Sequence, residues 1–288
     1  MAIKSILVLT NAMPSDRATL DLALAAARPS DAHLCALFVR QDVRETLLYS
    51  GAETDSVTIE RMVAGIDREG TEASKRAHAA FDDWCVRNRL PARDRPGDGA
   101  GVSAEWRDGF GAPEPVIARF GSLADLIVET GLHERQLPLE QSTIEWSLFG
   151  AGRPVLVCPA ALPERPFKTA LIAWNGSREA NRAVVGALDV LRACEDIRVF
   201  CRAETGRPSS DPDEIIAYLG WHGITARTVM GASPSAAIGV DLLDTARREG
   251  ASLLVTGAYT HGRFRQMVLG GVTSHVLYHA KIPALLVH

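Results

Sequence analysis

The chain has 288 residues, 47% hydrophobic and 23% charged, with a formal net charge of −4 at neutral pH. That length suits two domains of roughly 140 residues each. The slight acidity gives no electrostatic ground for binding nucleic acid or an anionic membrane surface. No run approaches the ~18 consecutive apolar residues of a membrane span, and Met1-Ala2-Ile3-Lys4 leads straight into a strand, so neither a transmembrane helix nor a signal peptide is expected. Five cysteines (Cys35, Cys85, Cys158, Cys194, Cys201) form no Cys-x-x-Cys pair. An odd, scattered set of this kind reads as reduced, buried residues of a cytoplasmic protein.

In chain order, Ile3 to Asn11 is a strand, and Pro14-Ser15-Asp16 opens an Ala/Leu-rich helix with Ser15 at the N-cap. Ala32 to Val39 is a second strand, and a long helix is expected over Thr58 to Arg89. The Pro/Gly-rich stretch Pro91 to Gly101 is a loop. Val102 to Trp106, Ala124 to Val128 and Pro154 to Cys158 are strands, separated by helices at Pro113 to Ser122 and within Gly131 to Gly150. Pro159 to Pro166 is a proline-stiffened linker.

After the linker the pattern repeats. Phe167 to Asn175 echoes Ile3 to Asn11, with Asn11 and Asn175 at matching strand ends. Ser177 starts a helix whose Ala180, Ala183, Val184, Ala187, Leu188 and Leu191 share one face. Strands at Asp196 to Ala203 and Thr225 to Met230 flank a helix over Pro212 to His222, and the Gly231-to-Pro234 turn leads into a helix ending near Glu249. Ala251 to Val255 and Pro283 to Val287 then mirror Ala124 to Val128 and Pro154 to Cys158. Strands that alternate with helices predict parallel sheets covered on both faces. The fold class is therefore α/β, with two tandem doubly wound five-stranded sheets of Rossmann-like, adenine nucleotide α-hydrolase-like design, one over 1–160 and the other over 167–288. Ligands of such sheets sit beyond the carboxyl ends of the strands, where the strand order switches. Asn175, the Gly231 turn and the stretch from Gly257 to Gly271 all fall at that edge.

The stretch Gly257-Ala258-Tyr259-Thr260, nine further residues, then Gly270-Gly271-Val272-Thr273 resembles the nucleotide loop of the universal stress protein family. The whole chain resembles the tandem form of that family. Its binders carry Gly-x2-Gly-x9-Gly-Ser/Thr, in which backbone amides and the last hydroxyl hold phosphates. Here Thr260 stands at the second glycine and Gly271 at the hydroxyl position, with Gly262 two residues along and Thr273 or Ser274 as alternative hydroxyls. Asn175 replaces the acidic residue that the family's binders tend to place against adenine. The resemblance implies a cytoplasmic, non-catalytic stress-response protein. Its implied ligand is ATP or a related adenine nucleotide in the second domain, at Asn175, Gly257, Thr260, Gly262, Arg263, Gly270, Gly271, Val272 and Thr273. It further implies a pseudo-dimer of the two domains, paired through Val155–Cys158 and Ala284–Val287, and association of whole chains into a homodimer through edge strands.

Each feature also has a plainer reading. The Gly257-to-Thr273 loop is either an anion cradle at a helix N-terminus or a connector. Arg263 and Arg265 either pair with phosphate or point to solvent, and Asn175 either reads an adenine edge or closes an Asx-turn. His275 and His279, four apart, have metal-ligand spacing but no third ligand nearby, which favours a surface or interface pair. The five tryptophans read as core or interface fillers. In the first copy, Glu134 and Glu140 replace the cradle, so no phosphate site is expected there. A nucleotide-independent interaction protein is the alternative function. A slow hydrolase ranks lower, since no base, Mg²⁺-binding carboxylate or P-loop lysine is evident.

Overall fold

The computed structural model describes residues 2–42, 56–95, 101–132, 143–202, 211–231, 236–258 and 271–288. The first copy supplies β1 (Ser5–Thr10), β2 (His33–Gln41), β3 (Ser103–Gly111), β4 (Leu126–Thr130) and β5 (Val155–Cys158), with helices α1 (Asp16–Ala27), α2 (Ser56–Asn88) and α3 (Pro113–Gly121). Between β4 and β5 the helical stretch 143–145 runs into a π-helical turn, Trp146–Gly150. The second copy supplies β6 (Thr169–Ala173), β7 (Asp196–Cys201), β8 (Ala226–Met230), β9 (Leu253–Gly257) and β10 (Ala284–Val287). Its helices are α4 (Arg178–Arg192), α5 (Pro212–Trp221), α6 (Ile238–Arg248) and α7 (Gly271–His279). Among the described residues no helix is long and apolar enough to cross a membrane.

The ten strands form one sheet in the order β3-β2-β1-β4-β5-β10-β9-β6-β7-β8. Every neighbouring pair is parallel except β5 and β10, which meet antiparallel with Leu156 opposite Leu285. This is the last-strand pairing that the resemblance implied. The central strands are buried on both faces, so they read as unbroken apolar runs such as Val155-Leu156-Val157-Cys158.

One apolar core lies along one face of the whole sheet and joins the copies. It includes Leu20 of α1, Trp84 of α2, Val184 of α4 and Leu219 of α5. The other face carries two cores, one around Ile144 and Leu148 and one around Leu242 and Val276.

Three local expectations need correction. β3 runs five residues past Trp106 because it pairs with β2 all the way to Gln41↔Gly111, and its polar Arg107-Asp108 marks a sheet edge rather than a strand end. Ser15 occupies the N-cap of α1 but makes no side-chain cap bond. Instead the Asp16 carboxylate accepts from the backbone N–H groups of Asn11 and Ala12, at 3.1 and 2.9 Å. Trp221 is not a core filler: it is 89% exposed, whereas Trp84 is buried and donates its indole N–H to Asp21 Oδ1 at 2.7 Å.

All five cysteines are free thiols. Burial pushes Cys35 and Cys194 up to about 12 and Cys85, Cys158 and Cys201 up to about 11, so none is poised as a nucleophile.

Candidate functional site

The strand order reverses between β6 and β9 in the second copy and between β1 and β4 in the first. α4 and α7 connect parallel neighbours, so each starts at the carboxyl edge of the sheet, and they lie on opposite faces. The switch point thus brings two helix N-termini to one edge of the sheet.

In the second copy, Asn175 follows β6 and its Oδ1 accepts from the Ser177 N–H at 3.1 Å. The intervening Gly176 has φ 69°, a left-handed conformation natural to glycine. Ser177 Oγ then accepts from Ala180 N–H at 3.2 Å and caps α4. The Asx-turn reading of Asn175 is therefore present in the structure. Gly257 ends β9 against this same helix start: a Cβ there would stand 2.6 Å from the backbone carbon of Glu179 and 2.8 Å from the nitrogen of Ala180. At the head of α7, a Cβ on Gly271 would meet nothing within 4 Å. Val272 is half-buried and Thr273 is buried. Thr260, Gly262, Arg263 and Gly270, with Arg265, lie outside the described residues.

The His275 and His279 rings stack at 4.3 Å, with His279 Nδ1 2.9 Å from the His275 carbonyl oxygen. His275 packs against Gly239 of α6, and burial and then His279 hold its pKa below the usual imidazole value. Among the described residues no group of three or more His, Cys, Asp or Glu is arranged to hold a metal.

The first copy's crevice is differently built. Asn11 Oδ1 accepts from Met13 N–H at 3.1 Å, matching Asn175. The loop's N–H groups are nevertheless already engaged by Asp16, whose own pKa burial raises to about 6 against the lowering effect of those bonds. A cavity of about 250 Å³ opens here, and Glu129 lines it. Glu129 is 2% exposed, accepts from Thr143 Oγ1 at 2.8 Å through Oε2, and leaves Oε1 without a hydrogen-bond partner. Burial raises its pKa to about 7, while Thr143 and Ser147 pull the other way. The sequence reading passed over this residue. Its signal was a carboxylate standing directly after Leu126-Ile127-Val128, inside an otherwise apolar strand. A larger cavity of about 480 Å³ lies at the junction of the copies, between Gly131 and Val157 on one side and Leu277 and Lys281 on the other.

Repeated doubly wound units, joined through their last strands, define the class: a tandem α/β protein of Rossmann-like design. Residues 227–288, from β8 to β10, match the model of the universal stress protein family. The whole chain has the fold of a universal stress protein from Archaeoglobus fulgidus DSM 4304, with a TM-score of 0.65 and 17% identity over 98% of this chain and 97% of that one. A functionally unknown protein from Pseudomonas aeruginosa PAO1 is similar at a TM-score of 0.53, with 18% identity over 99% and 92% of the two chains. None of the curated proteins matches the sequence. The resemblance to universal stress proteins thus holds in sequence over the last strands and in fold over both copies.

Proposed function

We propose that the chain is a cytoplasmic, non-catalytic stress-response protein of two domains, 1–160 and 167–288, that binds ATP or a related adenine nucleotide in the second. Asn175 and Gly257 shape the base side of the crevice. The backbone of Gly270, Gly271, Val272 and Thr273 holds the phosphates at the start of α7, with a hydroxyl from Thr273 or Ser274. Thr260, Gly262 and Arg263 complete the loop.

The observation that carries this reading is the meeting of Asn175, Gly257 and the start of α4 at the switch point of the second copy. Gly257 is required by packing, since its Cβ would strike backbone. Among the described residues a Cβ on Gly271 would meet nothing within 4 Å, so the described packing leaves room beside the start of α7. Backbone N–H groups at such a helix start attract an anion, and the hydroxyl that the family's binders place at position 271 would come from Thr273 or Ser274.

The test is native mass spectrometry of protein purified without added nucleotide, followed by calorimetric titration with ATP. A bound adenine nucleotide is expected, and Gly270→Val should abolish ATP affinity while leaving the melting temperature in place. An empty chain that gives no heat with ATP would sink the reading. A second reading, a nucleotide-independent interaction protein, draws on the exposed Trp221 and Met230 at the ends of α5 and β8. Homodimerisation would then use the outer edges, β3 and β8.

A further inference from the structure

Glu129 occupies the place that Thr256 holds in the second copy. Glu129 lies opposite Val157 of β5, and Thr256 lies opposite Leu286 of β10. With Pro154 set against Pro283, Thr143 and Ser147 fall opposite Val272 and Val276. The first copy therefore has an acid and two hydroxyls where the second has one hydroxyl and two valines, and these three groups converge: Thr143 bonds the carboxylate, and Ser147 lies near enough to lower its pKa without closing a hydrogen bond.

Burying a carboxyl with one oxygen unpaired is unfavourable unless something compensates it. Packing alone gives no reason for the acid, since the second copy fills the same place without one. The crevice beside it is walled by Leu9, Phe38, Val39, Ile117 and Trp146, and Glu129 is its one charged lining residue among those described. Trp146 opens the π-helical turn, a distortion that often accompanies functional sites. Other charged groups on the packed elements are Glu145 beside the turn, Glu114 and Arg119 on α3, Arg40 on β2, and Asp16 and Arg17 at the start of α1, none of which lines the cavity.

We propose that the first copy's crevice binds a small, flat organic cation of the amidinium or guanidinium class, with Glu129 Oε1 accepting its N–H groups and Trp146 packing on its face. The charge pairing and the ring face both favour a delocalised cation. Among the described residues an anion finds no positive side chain in this lining and meets Asp16 at the adjoining loop. The site does not depend on the nucleotide reading of the second copy.

The experiment is calorimetric titration of the full chain with benzamidinium chloride at pH 8 and pH 6, with sodium benzoate as the control anion. Binding is expected at pH 8 and should weaken about tenfold at pH 6, because the ionised fraction of a group with a pKa of about 7 falls by that factor. Glu129→Gln should lose at least about tenfold in affinity and all of the pH dependence. Glu129→Thr, which restores the second copy's residue, should do the same. No heat with benzamidinium, affinity that is flat between the two pH values, or equal binding of benzoate overturns the proposal. So does unchanged affinity in a folded Glu129→Gln protein.

Discussion

Arg198 on β7 reaches across the sheet to Glu249 just past the end of α6, with Nη1 2.7 Å from Oε2, while its Nη2 donates to Asp196 at 2.6 Å. The same guanidinium also donates to the Glu249 carbonyl, one of the acceptors left over at a helix C-terminus. Both side chains are largely buried, at 15% and 18% exposed, which removes much of the solvent screening that weakens surface pairs. Arg198→Leu should therefore destabilise the protein by about 2 kcal/mol, measured by urea denaturation. A change within experimental error would show that water already competes for this pair.

Glu129 gives stability a specific pH dependence. Its folded pKa, about 7, lies above the ordinary value of 4.5 that applies when unfolded. Below 4.5 both states hold the proton and nothing is lost. Between 4.5 and 7 only the folded state holds it, so the unfolded state binds fewer protons and stability falls as pH rises. Above 7 the loss is complete, on the order of 3 kcal/mol. Glu129→Gln should flatten this component, making the variant's advantage over the natural chain grow from pH 4.5 to 7. An advantage constant across that range would contradict the buried acid.

The two glycines of the second crevice should respond oppositely to alanine. Gly257→Ala forces a Cβ onto the backbone at Glu179 and Ala180, and should destabilise by about 1–3 kcal/mol. Gly271→Ala enters open space at the first residue of a helix and should be neutral or stabilising, by less than about 1 kcal/mol. Thermal melts of the two variants side by side check both signs.

The seam between the copies can be tested at Leu285, fully buried opposite Leu156, both within the core that joins the halves. Leu285→Ala should cost about 2–5 kcal/mol. Because that core is continuous, the loss should appear as one shifted transition in calorimetry. Two transitions, only one of them shifted, would mean that the copies unfold separately.

The repeat was legible because parallel strands buried on both faces leave apolar runs that can be counted, and because Asn11 and Asn175 mark equivalent strand ends. The Asx-turn at Asn175, leading into the helix that starts at Ser177, followed from local chemistry. Ser15 stands at the N-cap as read, but its helical rather than extended backbone leaves its side chain without a cap bond. The acid at position 129 was hidden for a different reason. At the end of a strand a glutamate ordinarily reaches water, and only the return of Thr143 to Leu148 over β4 encloses it. Such enclosure is a tertiary fact with no local signature. Trp221 shows the converse, a large aromatic side chain that the fold leaves outside.

The antiparallel meeting of β5 and β10 has one more effect. It reverses the strand direction from one copy to the other, so the two crevices open at opposite margins of the ten-stranded sheet. Occupants of the two would sit at opposite edges of the sheet, out of reach of each other. Each half was thus free to change its chemistry without disturbing its twin, and any message between them must travel through the shared interior rather than across solvent.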